Sequence, residues 1–232
     1  MSKILSHPFF NQGVFFDMMK DHGVVFYLII AFSCVLVPYL LGSVNFAVII
    51  SSKKYHDDVR EHGSGNAGMT NMMRTYGRRS AILTLVGDAL KAIVAGLIGY
   101  FMFGLFGAHI AGFFCVLGHL FPVFFKFKGG KGVVTAAASM LVCNPIVFLI
   151  MLVLFVLIVV IWRYISLASV MCVLLYPVIL NGVDKVLGGG SGAYIIFPIL
   201  ITVLIVLKHK DNIKRLMNGT ESKFVIKKSV KK

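Results

Sequence analysis

The sequence predicts an all-α, polytopic integral membrane protein with about seven transmembrane helices, and three observations support this class. The chain is 58% hydrophobic and only 14% charged, whereas soluble domains carry about 25% charged residues. Its apolar residues lie in long runs that a soluble core of this size could not hide. Its Lys and Arg residues collect between and after these runs, as they do in the cytoplasmic loops of membrane proteins.

The apolar runs are the candidate membrane segments. They lie at roughly 24–50, 80–103, 108–125, 133–161, 164–181 and 193–207. A membrane span needs about 20 residues. The fourth run is longer and contains Asn144-Pro145, and proline disfavours helix in the residue before it. This run is therefore either one long tilted helix or two shorter ones.

The charge distribution decides between these two readings. With the N-terminus outside, a single crossing at 133–161 leaves the Lys-rich C-terminal tail outside, against the positive-inside rule. Two crossings return Arg163 and the tail to the inside, so that only Lys3, Lys20 and Lys185 remain outside. We therefore expect an N-out, C-in topology that gathers the polar loops on the inner side.

The domain plan follows from these segments. We expect an N-terminal extension at 1–23, rich in Phe and resting at the outer interface, a membrane domain at 24–218 and a basic tail at 219–232. The stretch 1–23 lacks the pattern of a cleavable signal peptide. The segment from 208 onward is either a short amphipathic helix on anionic lipid or, beyond about residue 220, a disordered polybasic tail.

The formal net charge of +14 would suggest nucleic acid in a soluble protein. Membrane orientation accounts for it here, and we expect no nucleic-acid partner. The four cysteines show no CxxC spacing, which predicts small buried hydrophobes rather than disulfides or metal ligands. We expect no metal and no cofactor.

The first polar loop, GSGNAGMTNMMR at 63–74, has the composition of a phosphate-binding segment. Glycines let successive backbone N–H groups turn towards one anion. Ser, Thr and Asn add neutral donors, and arginine adds a bidentate charge that matches phosphate. The alternative is an ordinary polar turn with a positive-inside arginine. The candidate ligands are Gly63, Ser64, Gly65, Asn66, Gly68, Thr70, Asn71 and Arg74.

The second loop, within GHLFPVFFKFKGGKGVVTA at 118–136, alternates lysine with glycine in the same way. It resembles a Walker A loop only superficially, because Gly132 stands where that motif needs Ser or Thr and no strand precedes it. A P-loop nucleotidase is therefore disfavoured. His119, at the end of a span, is either a structural residue or a catalytic one. The candidates are His119, Lys126, Lys128, Gly129, Gly130, Lys131 and Gly132.

Two further segments, RYISLAS at 163–169 and HKDNIKRL at 209–216, add polar residues at three-residue spacing, which places them on shared helix faces. Taken singly, each is an ordinary interfacial residue. Four such segments on one side are hard to explain as solvated loops, and they predict a phosphate-handling site at the membrane surface. The candidates here are Arg163, Ser166, Ser169, His209, Asn212 and Arg215.

Asp88 and Lys91 lie three residues apart inside an apolar run, on one helical face. Charges within a bilayer are costly and are usually paired. We expect an intramembrane ion pair that braces the site; direct contact with a substrate is the alternative.

Taken together, these segments resemble the bacterial acyl-phosphate:glycerol-3-phosphate acyltransferases, the PlsY family. The resemblance covers roughly residues 35–218, and Met69 departs mildly from the alanine that is usual there. The matching segments are LLGSV at 40–44, GSGNAGMTNMMR at 63–74, DALK at 88–91, GHLFPVFFKFKGGKG at 118–132, YISLAS at 164–169 and HKDNIKRL at 209–216.

The resemblance implies a seven-helix fold in the bacterial cytoplasmic (inner) membrane, with the active site facing the cytoplasm. It implies acyl transfer from acyl phosphate to the sn-1 hydroxyl of glycerol 3-phosphate, with membrane lipids around the protein and an acyl-phosphate-forming enzyme as supplier. The implied catalytic residues are Ser64, Arg74, Lys131, His209 and Asn212. The implied substrate-binding residues are Gly63, Gly65, Asn66, Thr70, Asn71, His119, Lys128, Gly129, Gly130, Gly132, Ser166 and Ser169.

Two other functions compete with this one. An organic-phosphate transporter is the main alternative, but transporters bind at the midplane between inverted repeats, whereas here no repeat is evident and the polar groups gather on one side. An enzyme that uses another phosphorylated lipid donor is the second. The HxxxxD pair of acyl-CoA-dependent acyltransferases is absent, since Glu61, Phe124 and Lys214 follow His56, His119 and His209 at that spacing.

Overall fold

A computed structural model describes residues 24–188 and 192–224, and all regular structure in these residues is helical. The expectations about residues 1–23 and about the end of the tail lie outside the described residues. Short 3₁₀ turns stand at Val59–Glu61, Val123–Phe125 and Gly192–Ile195. The α-helices are α1 Val24–Ser43, α2 Phe46–Tyr55, α3 Met69–Leu120, α4 Val133–Cys143, α5 Pro145–Trp162, α6 Ile165–Val186, α7 Ile196–Lys208 and α8 Lys210–Met217.

The long helix α3 is interrupted twice by backbone that is not helical. Gly77 has φ 82°, and the pair Phe103-Gly104 breaks the helix again, with Gly104 at φ 59°. Glycine tolerates positive φ without steric cost. Three segments result, α3a at 69–76, α3b at 78–102 and α3c at 105–120. A Cβ on Gly99 would overlap the backbone of Gly107, so α3b and α3c turn back upon one another.

The predicted interruption at Asn144-Pro145 is confirmed. Helix α4 ends at Cys143 after 11 residues, and α5 begins at Pro145 and runs for 18. Asn144 is extended, and its side-chain oxygen accepts a hydrogen bond of 3.1 Å from the backbone N–H of Val147, which caps α5. Proline at the first helical position suits the start of α5 because the missing N–H has no helical partner there.

Among the described residues, four helical stretches are long and apolar enough to cross a membrane. A fifth is counted if α7 and α8, which bend by 61°, form one broken span. The all-α polytopic class is confirmed, while seven crossings and the N-out, C-in orientation stay predictions. The four stretches are Leu28–Tyr55, Met69–Phe125, which contains the α3b–α3c turn, Pro145–Trp162 and Ile165–Val186.

Small side chains fill the interior where α1, α3b, α3c and α4 meet. Ala92, Ala95, Ala138 and Cys115 are buried together there. Small residues let helix backbones approach closely, which is how helices associate inside a bilayer. All four cysteines are free and buried, as expected from their spacing. Helix α5, by contrast, buries only Val147 and Met151 and exposes most of its other apolar side chains, which suits a lipid-facing position.

Candidate active site

A buried charge cluster lies beneath the polar loops. Lys91 pairs with Asp88 at 2.8 Å, which confirms the expected ion pair. The Lys91 ammonium also donates to the carbonyls of Gly42 at 2.9 Å and Val44 at 2.6 Å, and to Nδ1 of His119 at 2.9 Å. One side chain thus joins the α1–α2 junction, α3b and the end of α3c. This network satisfies a charge that would otherwise be costly in the membrane.

The second loop is packed onto His119. The backbone N–H of Gly130 donates to the His119 carbonyl at 3.1 Å. A Cβ on Gly129 would overlap that carbonyl, and a Cβ on Gly130 would overlap the His119 ring. Both glycines are therefore required by close approach. His119 itself is only 4% exposed and is held by Lys91, which favours its structural role as the support of the loop.

The first loop is shaped from inside by Asn71. Its side-chain oxygen accepts from the Ser64 N–H at 2.9 Å, and its amide donates to the carbonyls of Val59 and His62, both at 2.9 Å. Asn71 is 1% exposed. Every polar atom of this side chain is engaged by the loop, so Asn71 supports the loop from inside, and its role as a substrate ligand stays a prediction. The Ser64 side chain remains exposed at the tip between Gly63 and Gly65, which both have positive φ.

The start of α3 presents the remaining groups of this loop. Asn66 and Thr70 are half-buried, and Arg74 follows Thr70 by one turn. Arg74 is exposed, and its guanidinium forms no hydrogen bond or ion pair with the described residues. Since a helix N-terminus also attracts anions through its free N–H groups, this corner is suited to phosphate.

The tail brings a residue that sequence reasoning missed. The carboxylate of Glu221 accepts hydrogen bonds from Ser166 at 2.8 Å, from Asn212 at 2.7 Å and from Arg215 at 2.7 Å. Burial raises the pKa of Glu221, but the hydrogen bonds from Asn212, Arg215 and Ser166 outweigh it and hold the pKa below its usual value. A lone glutamate in a basic tail gave no signal of this role.

The boundary at 218/219 stays a prediction, and residues on both sides of it contact one another. Glu221 connects α6 to α8, and the N–H of Phe224 donates to the carbonyl of Arg163 at 2.6 Å. Residues 219–224 belong structurally to the site, although the sequence places them in the tail. The predicted short helix after residue 208 is present as α8.

Lys131 joins the second loop to α8. Its ammonium donates to the side-chain oxygen of Asn212. Burial, together with the positive charges of Arg215 and Arg74, lowers the pKa of Lys131 to about 8 against the opposing effect of Glu221. Lys131 therefore lies within electrostatic range of Arg74 and Arg215. Such a cluster of cations favours an anion between them.

His209 stands beside this cluster at the α7–α8 bend. Its Nδ1 is 2.8 Å from the carbonyl of Ile205, and burial lowers its pKa. A neutral ring that donates through Nδ1 leaves Nε2 as an acceptor. Ser169 is 2% exposed, and its hydroxyl donates to the carbonyl of Ile165 in its own helix, while its role in substrate binding stays a prediction. Ser166 reaches the cluster only through Glu221.

Arg60 connects the first and second loops and was not singled out from the sequence. It pairs with Asp58 at 2.6 Å and donates to the carbonyls of Phe125 at 3.1 Å and Lys128 at 3.2 Å. The Lys128 side chain itself is exposed. The short Asp58–Arg60 spacing predicts a local pair, but nothing in it indicates the contact with residues more than sixty positions away.

The site therefore joins four separate segments through hydrogen bonds that are mostly part-buried, and it leaves cationic groups at its surface. Gly132, at φ 79°, ends the second loop and starts α4, so a second helix N-terminus lies beside Lys131. Within residues 24–188 and 192–224 no group of three or more His, Cys, Asp or Glu side chains is arranged to hold a metal ion. The chemistry open to such a site is the binding and orientation of phosphorylated molecules.

Comparison with known proteins agrees with this geometry. The family model of glycerol-3-phosphate acyltransferase matches residues 32–219. The glycerol-3-phosphate acyltransferase of Clostridioides difficile (strain 630) is 39% identical over 208 residues, which is 87% of this chain and 97% of that protein. The enzyme of the same name from Rhizobium etli is 43% identical over 195 residues, covering 84% and 91% of the two chains.

Two solved structures share the fold. The crystal structure of PlsY, an integral membrane glycerol 3-phosphate acyltransferase, in its glycerol 3-phosphate form aligns with a TM-score of 0.77 at 36% identity and covers 84% of this chain and 96% of its own. Its lysophosphatidic acid form aligns with a TM-score of 0.74 at the same identity, with 84% and 95% covered. The chain therefore belongs to the glycerol-3-phosphate acyltransferase family of PlsY, and it is an integral membrane acyltransferase.

Proposed function

We propose that this protein transfers an acyl group from acyl phosphate to the sn-1 hydroxyl of glycerol 3-phosphate. The products are 1-acyl-glycerol 3-phosphate (lysophosphatidic acid) and inorganic phosphate, and the reaction is the first acylation of phospholipid synthesis. The observation that carries the proposal is the hydrogen-bonded connection of Lys131 to Asn212, and of Asn212 and Arg215 to Glu221, with Arg74 within electrostatic range of Lys131 and with the N-termini of α3 and α4 beside these cations. Two phosphorylated substrates need two adjacent anion sites, and this region supplies them.

The reaction needs little from the protein beyond alignment. Phosphate is a good leaving group, so the substrate hydroxyl can attack the acyl carbon directly as the acyl–phosphate bond breaks. The hydroxyl proton passes to an oxygen of the acyl phosphate, which leaves as inorganic phosphate. No Ser-His-Asp triad is evident among the segments that form the site, which supports direct transfer over an acyl-enzyme.

The donor is tested with purified protein in detergent, where no transport is possible. Palmitoyl phosphate and glycerol 3-phosphate are expected to yield lysophosphatidic acid and inorganic phosphate in equal amounts. Acyl-CoA and acyl-carrier protein at the same concentrations are expected to yield no product. Robust turnover of acyl-CoA by protein freed of acyl phosphate would overturn the proposed donor, and failure with every donor would favour the organic-phosphate transporter.

The site is proposed to face the cytoplasm of a bacterial cell, with the end of α6 outside. In a background without the four native cysteines, Gly188→Cys is expected to react with an impermeant maleimide added to intact cells. Lys128→Cys, on the second loop, is expected to react only after the inner membrane is opened. The reverse pattern would invert the orientation and refute the parity argument from Lys and Arg placement.

The lowered pKa of Lys131 predicts a loss of activity at alkaline pH. Its pKa of about 8 means that the ammonium loses its proton, and with it the attraction for phosphate, as the pH rises through that value. The measured quantity is kcat/KM for glycerol 3-phosphate across pH 6 to 10, which reports the free enzyme. Lys131→Arg is expected to move the alkaline limb upward because arginine stays charged throughout. An alkaline limb that is identical in wild type and Lys131→Arg would exclude Lys131 as its source.

We expect the loss of Arg60 to disturb the alignment of the first and second loops. Arg60→Ala removes the contacts to the second loop, and we expect kcat to fall by about tenfold, since a small displacement of positioned groups is costly. Arg60→Lys keeps the charge but not the fork of donors, and is expected to lie in between. Glu61→Ala, at the exposed neighbouring residue, is the matched control and is expected to behave like wild type. Equal kcat values for Arg60→Ala and Glu61→Ala would contradict the role of Arg60 in connecting the two loops.

A further inference from the structure

Helix α8 has two faces with different contacts. Asn212 and Arg215 point towards Glu221, and Asn212 also receives Lys131. The opposite face carries residues at positions i, i+3, i+4 and i+7, a spacing that brings side chains together on one side of a helix. These residues are Lys210, Ile213, Lys214 and Met217. The face turned away from the site therefore combines two positive charges with apolar side chains.

This outer face forms one wall of a groove. The groove has a volume of about 400 Å³ and lies in the 61° bend between α7 and α8. Val206 and Leu207 of α7 form the other wall, and Asn218 closes the end. Met217 is 83% exposed and Leu207 is 61% exposed. Apolar surface that is this accessible at the end of an apolar helix suits contact with lipid.

The two lysines of the groove are available for an anion. Lys210 and Lys214 are both exposed, and neither ammonium has an ion pair or a hydrogen bond with the part of the chain that the structure describes. Asp211 is displaced around the helix by about 100° from Lys210. An anion that approaches the groove therefore meets two unneutralised positive charges beside an apolar floor.

We propose that this groove binds an anionic glycerophospholipid of the surrounding membrane. Its phosphate lies between Lys210 and Lys214, and one of its acyl chains lies against Val206, Leu207 and Met217. A soluble phosphate ester would use the lysines but not the apolar walls, and a neutral lipid would use the walls but gain little from the lysines. Each juxtamembrane lysine strengthens binding to anionic lipid about fivefold, so the pair is expected to strengthen it roughly 30-fold.

The position of the groove links lipid to catalysis, and this link rests on the proposed function. A lipid on the outer face holds α8 at the bend, and the inner face of the same helix presents Asn212 and Arg215 to the site. Bound lipid is therefore expected to favour the arrangement in which Asn212 meets Lys131. Turnover is expected to rise with the anionic lipid content until the groove is filled.

The test uses the full chain in nanodiscs of phosphatidylcholine with increasing fractions of phosphatidylglycerol. Lys210→Gln/Lys214→Gln removes the charges of the groove, and Lys53→Gln/Lys54→Gln removes the same number of exposed charges from the end of α2. Native mass spectrometry is expected to show that phosphatidylglycerol retention falls by at least tenfold in the groove variant only. The ratio of kcat in anionic to neutral discs is expected to exceed one in wild type and in the control, and to equal one in the groove variant.

Each outcome separates the two proposals. Equal phosphatidylglycerol retention by both double variants overturns the lipid site, whatever the turnover. Selective loss of retention in the groove variant together with an unchanged kcat ratio keeps the site and overturns its link to catalysis. Selective loss of retention with no turnover by any protein keeps the site and overturns the proposed function instead. Size-exclusion profiles matching wild type exclude misfolding of the variants.

Discussion

Arg74→Ala is expected to lower kcat/KM for glycerol 3-phosphate by about 10²- to 10³-fold, the cost of removing a charged donor from a preorganised site. Arg74 is exposed at the start of α3, has no protein partner among the described residues and lies near enough to Lys131 to lower its pKa. Its guanidinium is therefore free to bind phosphate with two parallel hydrogen bonds. No other side chain of the first loop carries a positive charge that could replace it.

Arg74→Lys is expected to recover only a small part of this loss, because a point charge does not reproduce the planar fork. The control is Arg79→Ala, which removes an exposed arginine from the same helix beyond the break at Gly77. Steady-state kinetics with both substrates varied give the measurement. Near-wild-type kinetics for both Arg74→Ala and Lys131→Ala would refute the phosphate site.

Ser64→Ala is expected to lower kcat by about 10²-fold without abolishing binding of either substrate, since one oriented donor of a reacting group is lost. Ser64 sits at the exposed tip of the first loop, and its backbone is fixed by Asn71 at 2.9 Å. Within the described residues, no general base forms a hydrogen bond with the Ser64 hydroxyl. A serine needs such a base to act as a nucleophile. We therefore expect Ser64 to orient acyl phosphate rather than to carry the acyl group.

The measurement for Ser64 has two parts. Protein incubated with acyl phosphate alone is expected to show no covalent adduct by mass spectrometry. The control, Ser52→Ala, removes an exposed serine hydroxyl from α2 and is expected to leave kcat unchanged. An acyl ester on Ser64 that forms and disappears at the turnover rate would establish an acyl-enzyme and overturn direct transfer.

Features that depend on nearby residues could be predicted from the sequence. The break at Asn144-Pro145 follows from proline chemistry that acts over one helical turn. The pairing of Asp88 with Lys91 follows from helical spacing and from the cost of charge in a bilayer. The all-α membrane class follows from the long apolar runs, because no other backbone structure except a closed barrel satisfies its hydrogen bonds in lipid.

Features that depend on contacts between distant segments could not be predicted in this way. Asn71 lies in a loop that has the composition of a phosphate-binding segment. Its side-chain amide nevertheless stabilises the loop, because Val59, His62 and Ser64 all contact it. Glu221 looks like a single acid in a basic tail, and only the return of the chain over α8 gives it three donors. The spacing of residues along the chain does not indicate contacts with such distant partners.

The composition, the apolar runs and the Gly-rich basic motifs by themselves established the membrane class, the family resemblance and the segments that make the site. The tertiary structure decided which polar residues of these segments are exposed, such as Ser64 and Arg74, and which are buried and hydrogen-bonded within the protein, such as Asn71 and Ser169. The physical reason is that burial and hydrogen-bond partners belong to the packed arrangement. A polar side chain must be satisfied once it is buried, and the identity of its partner depends on helices that lie far apart in the chain.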